Sequence, residues 1–182
     1  MNRALAASLA LCTASLISCR ALGAKDVAVT VRELFEDRQF VRRFNCLEDD
    51  FDFRCRELIA RKAASEEIVR THVGSDDARA SFLALDLLDC MGFLGSLSTD
   101  IQVEYHLEFW TRTARGGGFD PHLDGEKERH VEALGKLGLT AIRRLNDLEG
   151  LSARQVSERF PAFNDQTHFL GTIRYFLAKL GH

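Results

Sequence analysis

The sequence predicts an all-α protein, a compact bundle of seven or eight helices. Only two prolines occur in 182 residues, and apolar residues recur at helical spacing while alternating runs typical of strands are absent. Thirteen phenylalanines, one tryptophan and two tyrosines are spread over these helical stripes. The chain is therefore expected to form one helical domain, residues 25–182, with a candidate internal boundary at the glycine run 116–118.

Residues 1–24 have the composition of a secretory signal peptide. Arg3 precedes the apolar run ALAASLALCTASLI, and a small-residue exit around LGA ends at Ala24. The apolar run is too short to span a bilayer stably. The mature protein is therefore expected to be secreted. An alternative is that LISC, residues 16–19, is a bacterial lipobox, in which case a lipid on Cys19 anchors a periplasmic lipoprotein.

The charge balance argues against a nucleic-acid partner. The leader holds Arg3 and Arg20 and no acids, so residues 25–182 carry 22 basic and 27 acidic residues, a net charge of −5. No cluster of lysine and arginine is longer than two residues, whereas phosphate contacts need a concentrated basic face. No second apolar stretch is long enough to be a membrane span.

Four helical segments are predicted in the N-terminal half. They cover residues 31–44, 53–64, 65–74 and 78–94. Ser65 is expected to start the third segment and Gly74 to stop it. Ser75 is the predicted N-cap of the fourth, with Asp76 and Asp77 in its first turn. Because the fourth segment is apolar nearly all round, it is expected in the middle of the bundle.

The C-terminal half is predicted to contain four more helical elements around one glycine-rich loop. A helix begins near Thr99 and ends before RGGGFDPHLDG, residues 115–125. One long helix then carries an apolar stripe made of Val131, Leu134, Ile142, Leu145 and Leu148. Ser152 and Gln155 match a capping box for the next helix, which Phe160–Pro161 ends. The last helix is expected to start at Asn164.

The segment NCLEDDFDFRC, residues 45–55, places two cysteines nine positions apart. Close cysteine pairs of exported proteins are usually oxidised, so a Cys46–Cys55 disulfide is expected, with Cys90 a free buried thiol. Continuous helix would hold the two Cα atoms about 13–14 Å apart, and a disulfide needs roughly 7 Å, so the acidic run between them should turn. Two alternatives stay open: Cys90 replaces one partner, or His72 or Cys90 joins the two thiols around a metal.

The same region resembles the start of the arthropod chemosensory protein family. Residues 34–55, LFEDRQFVRRFNCLEDDFDFRC, match its pattern at Leu34, Asp37, Arg38, Asn45, Cys46, Leu47, Asp49 and Cys55. Trp110, FDP at 119–121 and Gly125 resemble a second motif of that family. The resemblance implies a helical bundle around an apolar tunnel that carries hydrophobic ligands. The second cysteine pair of the family has no counterpart here.

Catalytic and metal-binding patterns are weak. The sequence contains no HExxH, GxSxG, P-loop or GxGxxG motif, so no enzyme and no cofactor are expected. Histidine and acidic residues gather near one predicted helix start, at His122, Asp124, Glu126 and His130. A solvated helix N-terminus explains them better than a metal site. Glu104 and Glu108 flank His106, but di-iron chemistry needs Glu-x-x-His pairs from two helices.

Two functions from different classes therefore remain. The first is a secreted carrier of a small hydrophobic ligand, a fatty acid or similar, for which an apolar cavity is expected. Its lining is predicted to include Phe82, Leu85, Met91 and Trp110. The alternative is a secreted or lipid-anchored protein–protein interaction module, with a filled core and an exposed apolar patch.

Overall fold

The structure is a computed structural model that describes residues 27–44, 52–114, 121–163 and 165–182, with backbone alone in 113–114 and 121–127. These residues form ten α-helices and one 3₁₀ turn, and no strand occurs among them. The all-α class is therefore confirmed, although the helices outnumber the predicted seven or eight.

The helices follow one another with short connections. They are α1 (27–36), α2 (Arg38–Arg43), α3 (Phe53–Ala60), α4 (Lys62–Arg70), α5 (Ala78–Cys90), α6 (Thr99–Ala114), α7 (Pro121–Leu137), α8 (Leu139–Glu149), α9 (Ala153–Arg159) and α10 (Gln166–Lys179), with the 3₁₀ turn Leu94–Ser96 between α5 and α6. Within the described ranges, no helix combines the length and the apolar character needed to cross a bilayer.

Several predictions concern residues outside the described ranges. They are the leader 1–24 with Cys19, the Cys46 half of the disulfide with its acidic turn, and the boundary at 116–118. These stay predictions.

Two predicted helices are each divided by one residue. The segment 31–44 breaks at Asp37, whose carboxylate accepts a 3.0 Å hydrogen bond from the Phe40 N–H and so caps α2. The long helix beyond residue 120 breaks at Gly138, whose φ of 61° and ψ of −141° favour glycine. Helix α7 also starts earlier than expected, at Pro121 inside the predicted loop 115–125.

Ser65 does not start a helix, which corrects the sequence prediction. The boundary between α3 and α4 lies at Arg61. Ser65 is buried one turn further on, where its hydroxyl donates a 3.0 Å hydrogen bond to the carbonyl of Leu58. Its polar atom ties α4 back to α3 instead of capping a new helix.

The N-cap of α5 is also corrected. Asp77 caps this helix, because its carboxylate accepts from the N–H groups of Arg79 at 2.9 Å and Ala80 at 3.3 Å. Ser75 instead donates its hydroxyl to the carbonyl of Asp77. The helix then ends at Cys90, four residues earlier than predicted.

The capping box at Ser152 is confirmed. The Ser152 hydroxyl accepts from the Gln155 N–H, and the Gln155 side-chain oxygen accepts from the Ser152 N–H at 2.9 Å. Helix α9 ends at Arg159, before Phe160–Pro161 as predicted. The last helix is capped by Asp165, the residue after the predicted Asn164, which lies outside the described ranges.

The buried side chains form two hydrophobic clusters that share α6. The first cluster contains residues of α1 to α5 with Tyr105 and Phe109 from α6. The second contains residues of α7 to α10 with Val103 and Leu107 from α6. Residues 82–88 of α5 are all buried, as expected for a helix without a polar face. Helix α5 is thus the centre of the first cluster, while α6 joins the two.

Candidate ligand-binding groove and a buried histidine pair

An open groove of about 570 Å³ lies between α1, the end of α4 and the start of α5. This volume falls within the range of about 300–1,000 Å³ that is usual for small-molecule sites. Its apolar surface comes from Val31, Phe35, Ile68 and Ala80. Val31 and Phe35 share one face of α1 because they are four residues apart. The groove is thus built on helices, with an apolar lining.

One wall of the groove is a stacked pair of rings. Phe35 of α1 and His72, just after α4, lie 3.8 Å apart between ring centroids and 6° from parallel. Burial lowers the pKa of His72, so its imidazole is neutral at pH 7. The wall therefore offers a flat, uncharged face to a ligand.

The rim of the groove is charged. Arg32, Glu36 and Arg38 are exposed there, and none of the three forms an ion pair with another residue in the described part of the chain. The carboxylate of Asp77 also faces the groove, but it accepts two backbone hydrogen bonds as the cap of α5. Two guanidinium groups are thus available to an incoming anion.

Arg54 holds α1 in place against α3. Its guanidinium pairs with Asp37 at 2.9 Å and with Asp52, the N-cap of α3, at 2.6 Å. It also donates a 3.1 Å hydrogen bond to the carbonyl of Glu33 in α1. The hydrogen bond from the Phe40 N–H and the hydrogen bond from the Arg54 side chain lower the pKa of Asp37. Asp37, a position of the chemosensory-protein resemblance, thus has a structural role here.

The four residues predicted to line a cavity are not brought together. Phe82, Leu85 and Met91 are buried in the first cluster. Trp110 packs against the second cluster, 4.7 Å from Tyr175 between ring centroids. None of the four lines the groove. Val31 and Phe35 lie in the predicted helical segment 31–44, but no pattern in the sequence indicates that Ile68 and His72 lie beside them.

A polar cluster lies where α5, α6 and α7 meet, with Tyr105 and Asp86 buried. Tyr105 of α6 donates its hydroxyl to Asp86 of α5 at 2.7 Å, and the hydroxyl lies 3.3 Å from a carboxylate oxygen of Asp89. Arg129 of α7 pairs with the same Asp89 oxygen at 3.2 Å. These contacts connect α5, α6 and α7 through polar groups.

His106 and His130 form the centre of this polar cluster. They are 3% and 1% exposed, and their Nδ1 atoms lie 2.6 Å apart. The His130 ring stacks on Phe109, 3.8 Å between centroids. The expectation of a solvated helix start is therefore wrong for His130, which lies in the third turn of α7 and faces α6.

The direction of the histidine hydrogen bond follows from its surroundings. One ring must donate its Nδ1–H and the other must accept it. Among the described residues, the buried Nε2 atom of His130 has no hydrogen-bond partner, and a buried bare acceptor costs less than a buried N–H donor. We therefore assign His130 as the donor and His106 as the acceptor.

Both imidazoles are held in the neutral form. Burial lowers the pKa of His106 to about 4, with Arg129 adding to the effect. Burial, His106 and Arg129 together lower the pKa of His130 to about 2. The pair is therefore uncharged at physiological pH.

The histidine geometry does not suit zinc. Two nitrogens bound to one tetrahedral zinc, each at 2.0–2.1 Å, lie roughly 3.3 Å apart, which exceeds the 2.6 Å between these Nδ1 atoms. Within the described ranges, no group of three or more histidine, cysteine or acidic side chains is arranged to hold a metal. The contact is a hydrogen bond.

The cysteines differ in their surroundings. Cys55 is a buried thiol in α3, and burial raises its pKa to about 12. Its predicted partner Cys46 lies outside the described ranges, so the Cys46–Cys55 pairing stays a prediction. Cys90 is exposed at the end of α5, so the expectation that it is buried is wrong; the apolar stretch ends one turn before the predicted helix end.

The fold and the groove define an all-α protein with an open, partly apolar groove. No family model, curated protein or solved structure matches this chain. The resemblance of residues 34–55 to the chemosensory proteins therefore stays a prediction.

Proposed function

We propose that the protein binds a small hydrophobic ligand with an acidic head group, a fatty acid or similar, in the groove between α1, α4 and α5. The observation that carries this proposal is an apolar lining together with two exposed arginines on the rim, Arg32 and Arg38, which form no ion pair with another described residue. The proposed ligand places its chain on the apolar lining and its carboxylate at the rim.

The physical chemistry of the groove supports this class of ligand. Each methylene that leaves water contributes about 0.8 kcal/mol, and Val31, Phe35 and Ile68 provide the surface for it. A guanidinium group matches the geometry of a carboxylate with two parallel hydrogen bonds. The neutral His72–Phe35 wall adds apolar area without a competing charge.

Native mass spectrometry and displacement of a fluorescent fatty-acid probe test the proposal. Saturable displacement by a long-chain fatty acid supports it. The variant Ala28→Trp adds bulk at an exposed position that lines the groove and should weaken binding at least about tenfold. Val29→Trp is the matched control, because Val29 is the next residue of α1, is 39% exposed and lies outside the groove. Equal binding by both variants would contradict the proposed location.

The head-group contact has its own test. Arg32→Gln and Arg38→Gln should each weaken fatty-acid binding about threefold to tenfold and leave binding of the corresponding fatty alcohol unchanged. Arg143→Gln, an exposed arginine on α8, controls for the change in net charge. Equal losses for acid and alcohol would argue against a carboxylate at the rim.

The second candidate is a protein–protein interaction module. The observation in its favour is Phe53, which is 75% exposed at the start of α3, since an exposed aromatic side chain is typical of interaction surfaces. Protein without bound lipid and without probe displacement would favour this function over the carrier.

Export belongs to the same proposal. Residues 1–24 have the composition of a leader, so the secreted protein should begin at Lys25. N-terminal sequencing of the secreted protein checks this, and a lipid on Cys19 would indicate the anchored form instead.

A further inference from the structure

Helix α7 contacts the first hydrophobic cluster through polar and aromatic groups. Among the described residues, no member of α7 belongs to that cluster. His130 contacts Tyr105 and Phe109, and Arg129 pairs with Asp89. The buried apolar side chain of Leu134 packs in the second cluster instead. Among its described side chains, α7 therefore contacts the first half of the molecule through the charged Arg129 and the titratable His130.

A proton has two places to bind in the histidine pair, and both are unfavourable. On Nδ1 of His106 it would set two N–H groups against each other across 2.6 Å. On Nε2 of His130 it would create a buried imidazolium whose N–H has no partner in the described part of the chain. An unpaired buried charge or donor is costly, whereas separated rings bind the proton in water. Proton uptake therefore favours separation.

We infer that the His106–His130 contact is an acid-sensitive latch, which releases α7 from α6 when the pair takes up a proton. This inference goes beyond the proposed ligand binding, because neither histidine lines the groove.

Among the side chains that the structure describes, the neighbouring charges do not compensate a proton on the pair. On α5, Asp86 and Asp89 accept from Tyr105, and Asp89 also pairs with Arg129. On α6, Glu104 is paired with Arg144 of α8, and Glu108 with Arg112 of its own helix. Within the described ranges, neither imidazole forms a hydrogen bond with a carboxylate. Arg129 is the charge that acts on both rings, and its sign opposes protonation.

Hydrogen–deuterium exchange of the full chain, corrected for the intrinsic pH dependence of exchange, tests the latch. Below about pH 6, opening of α7 should increase about tenfold for each pH unit if one ring takes up a proton, and about a hundredfold if both do. Amides of α4 and α5 should keep their protection over the same range. Protection of α7 that stays constant until the whole chain unfolds would overturn the inference.

A double variant separates the latch from general acid sensitivity. His106→Asn with His130→Asn replaces the rings by amides that pair near the Nδ1 positions and do not titrate. Its α7 protection should be the same at about pH 4.5 and about pH 7. His182→Asn, which removes an exposed histidine, should open as the unmodified chain does. An acid-induced opening of the double variant equal to that of the unmodified chain would overturn the latch.

If the double variant does not fold, NMR titration of the histidine rings in the unmodified chain tests the latch instead. The rings of His106 and His130 should stay neutral until α7 opens and should gain their proton together with the loss of α7 protection. Protonation of both rings near pH 6.5 with α7 still protected would overturn the latch.

Discussion

The two hydrophobic clusters differ in whether the charged side chains around them form ion pairs. Around the second cluster, Glu104 accepts from both Arg144 and Arg159, and Arg174 pairs with Glu149. These pairs join α6 to α8 and α9, and α8 to α10. Beside the first cluster, the groove rim leaves Arg32 and Arg38 without an ion pair among the described residues.

Arg54 also joins helices in the first half, so the difference between the halves lies at the groove rim, where we propose that the ligand binds. Charges that connect helices contribute to stability, whereas charges left open beside an apolar lining are available to a ligand. The second half is therefore expected to act as a scaffold and the first half as the binding half.

The largest effect is expected in the scaffold. Phe169 is fully buried in the second cluster, 5.0 Å from both Phe160 and Phe163 between ring centroids. Phe169→Ala leaves a cavity and should lower the free energy of unfolding by about 3–5 kcal/mol. Urea denaturation measures this loss. Fatty-acid affinity of the folded variant should stay unchanged, and a large loss of affinity would show that the two halves do not have separate roles.

The second-largest effect is the pH dependence of the free energy of unfolding that the histidine pair causes. An unfolded histidine has a pKa of about 6.5, whereas burial lowers the pKa of His106 to about 4 and that of His130 further. The unfolded chain therefore binds more protons, so the stabilisation is complete above about pH 6.5 and is lost as the pH falls towards the folded pKa. His106 alone should remove about 3 kcal/mol of the free energy of unfolding by about pH 4.

Urea denaturation from about pH 7 to about pH 4 measures that slope. The reference is the His106→Asn/His130→Asn variant, because the difference between the two curves cancels other titrating groups. One of those is Glu108, whose pKa burial raises and whose effect has the opposite sign. Parallel curves would contradict a role of the histidines in acid sensitivity.

Local signals account for what the sequence predicted correctly. Helical periodicity gave the all-α class, and the Ser152–Gln155 capping box depends on residues three positions apart. The breaks between helices are harder to predict from the sequence. Asp37 caps α2 from within an apolar stripe, and Gly138 divides a stripe that continues in both α7 and α8. In both cases the apolar period persists across the break, so periodicity alone does not show it.

The candidate site depends on contacts distant in sequence. His130 lies next to His106 only because α7 packs on α6, and its own sequence neighbours, which are mostly polar, indicated a solvated position. Likewise, His72 becomes part of the groove by stacking on Phe35, 37 positions earlier in the chain. Such pairs cannot be derived from spacing along one helix.

The smallest effect is expected at the groove rim and involves Asp77. Asn is as good an N-cap as Asp, so Asp77→Asn should change the free energy of unfolding by no more than about 0.5 kcal/mol. It also removes a negative charge that faces the groove beside Arg32 and Arg38. Fatty-acid affinity should therefore rise about twofold to threefold at low salt, since a screened charge at this separation contributes a fraction of a kcal/mol. The fatty alcohol should show no change.

Asp76→Asn, at an exposed neighbour outside the groove, is the matched control. Probe displacement at two salt concentrations measures the effect, and an equal rise for both variants would assign it to net charge and not to the rim.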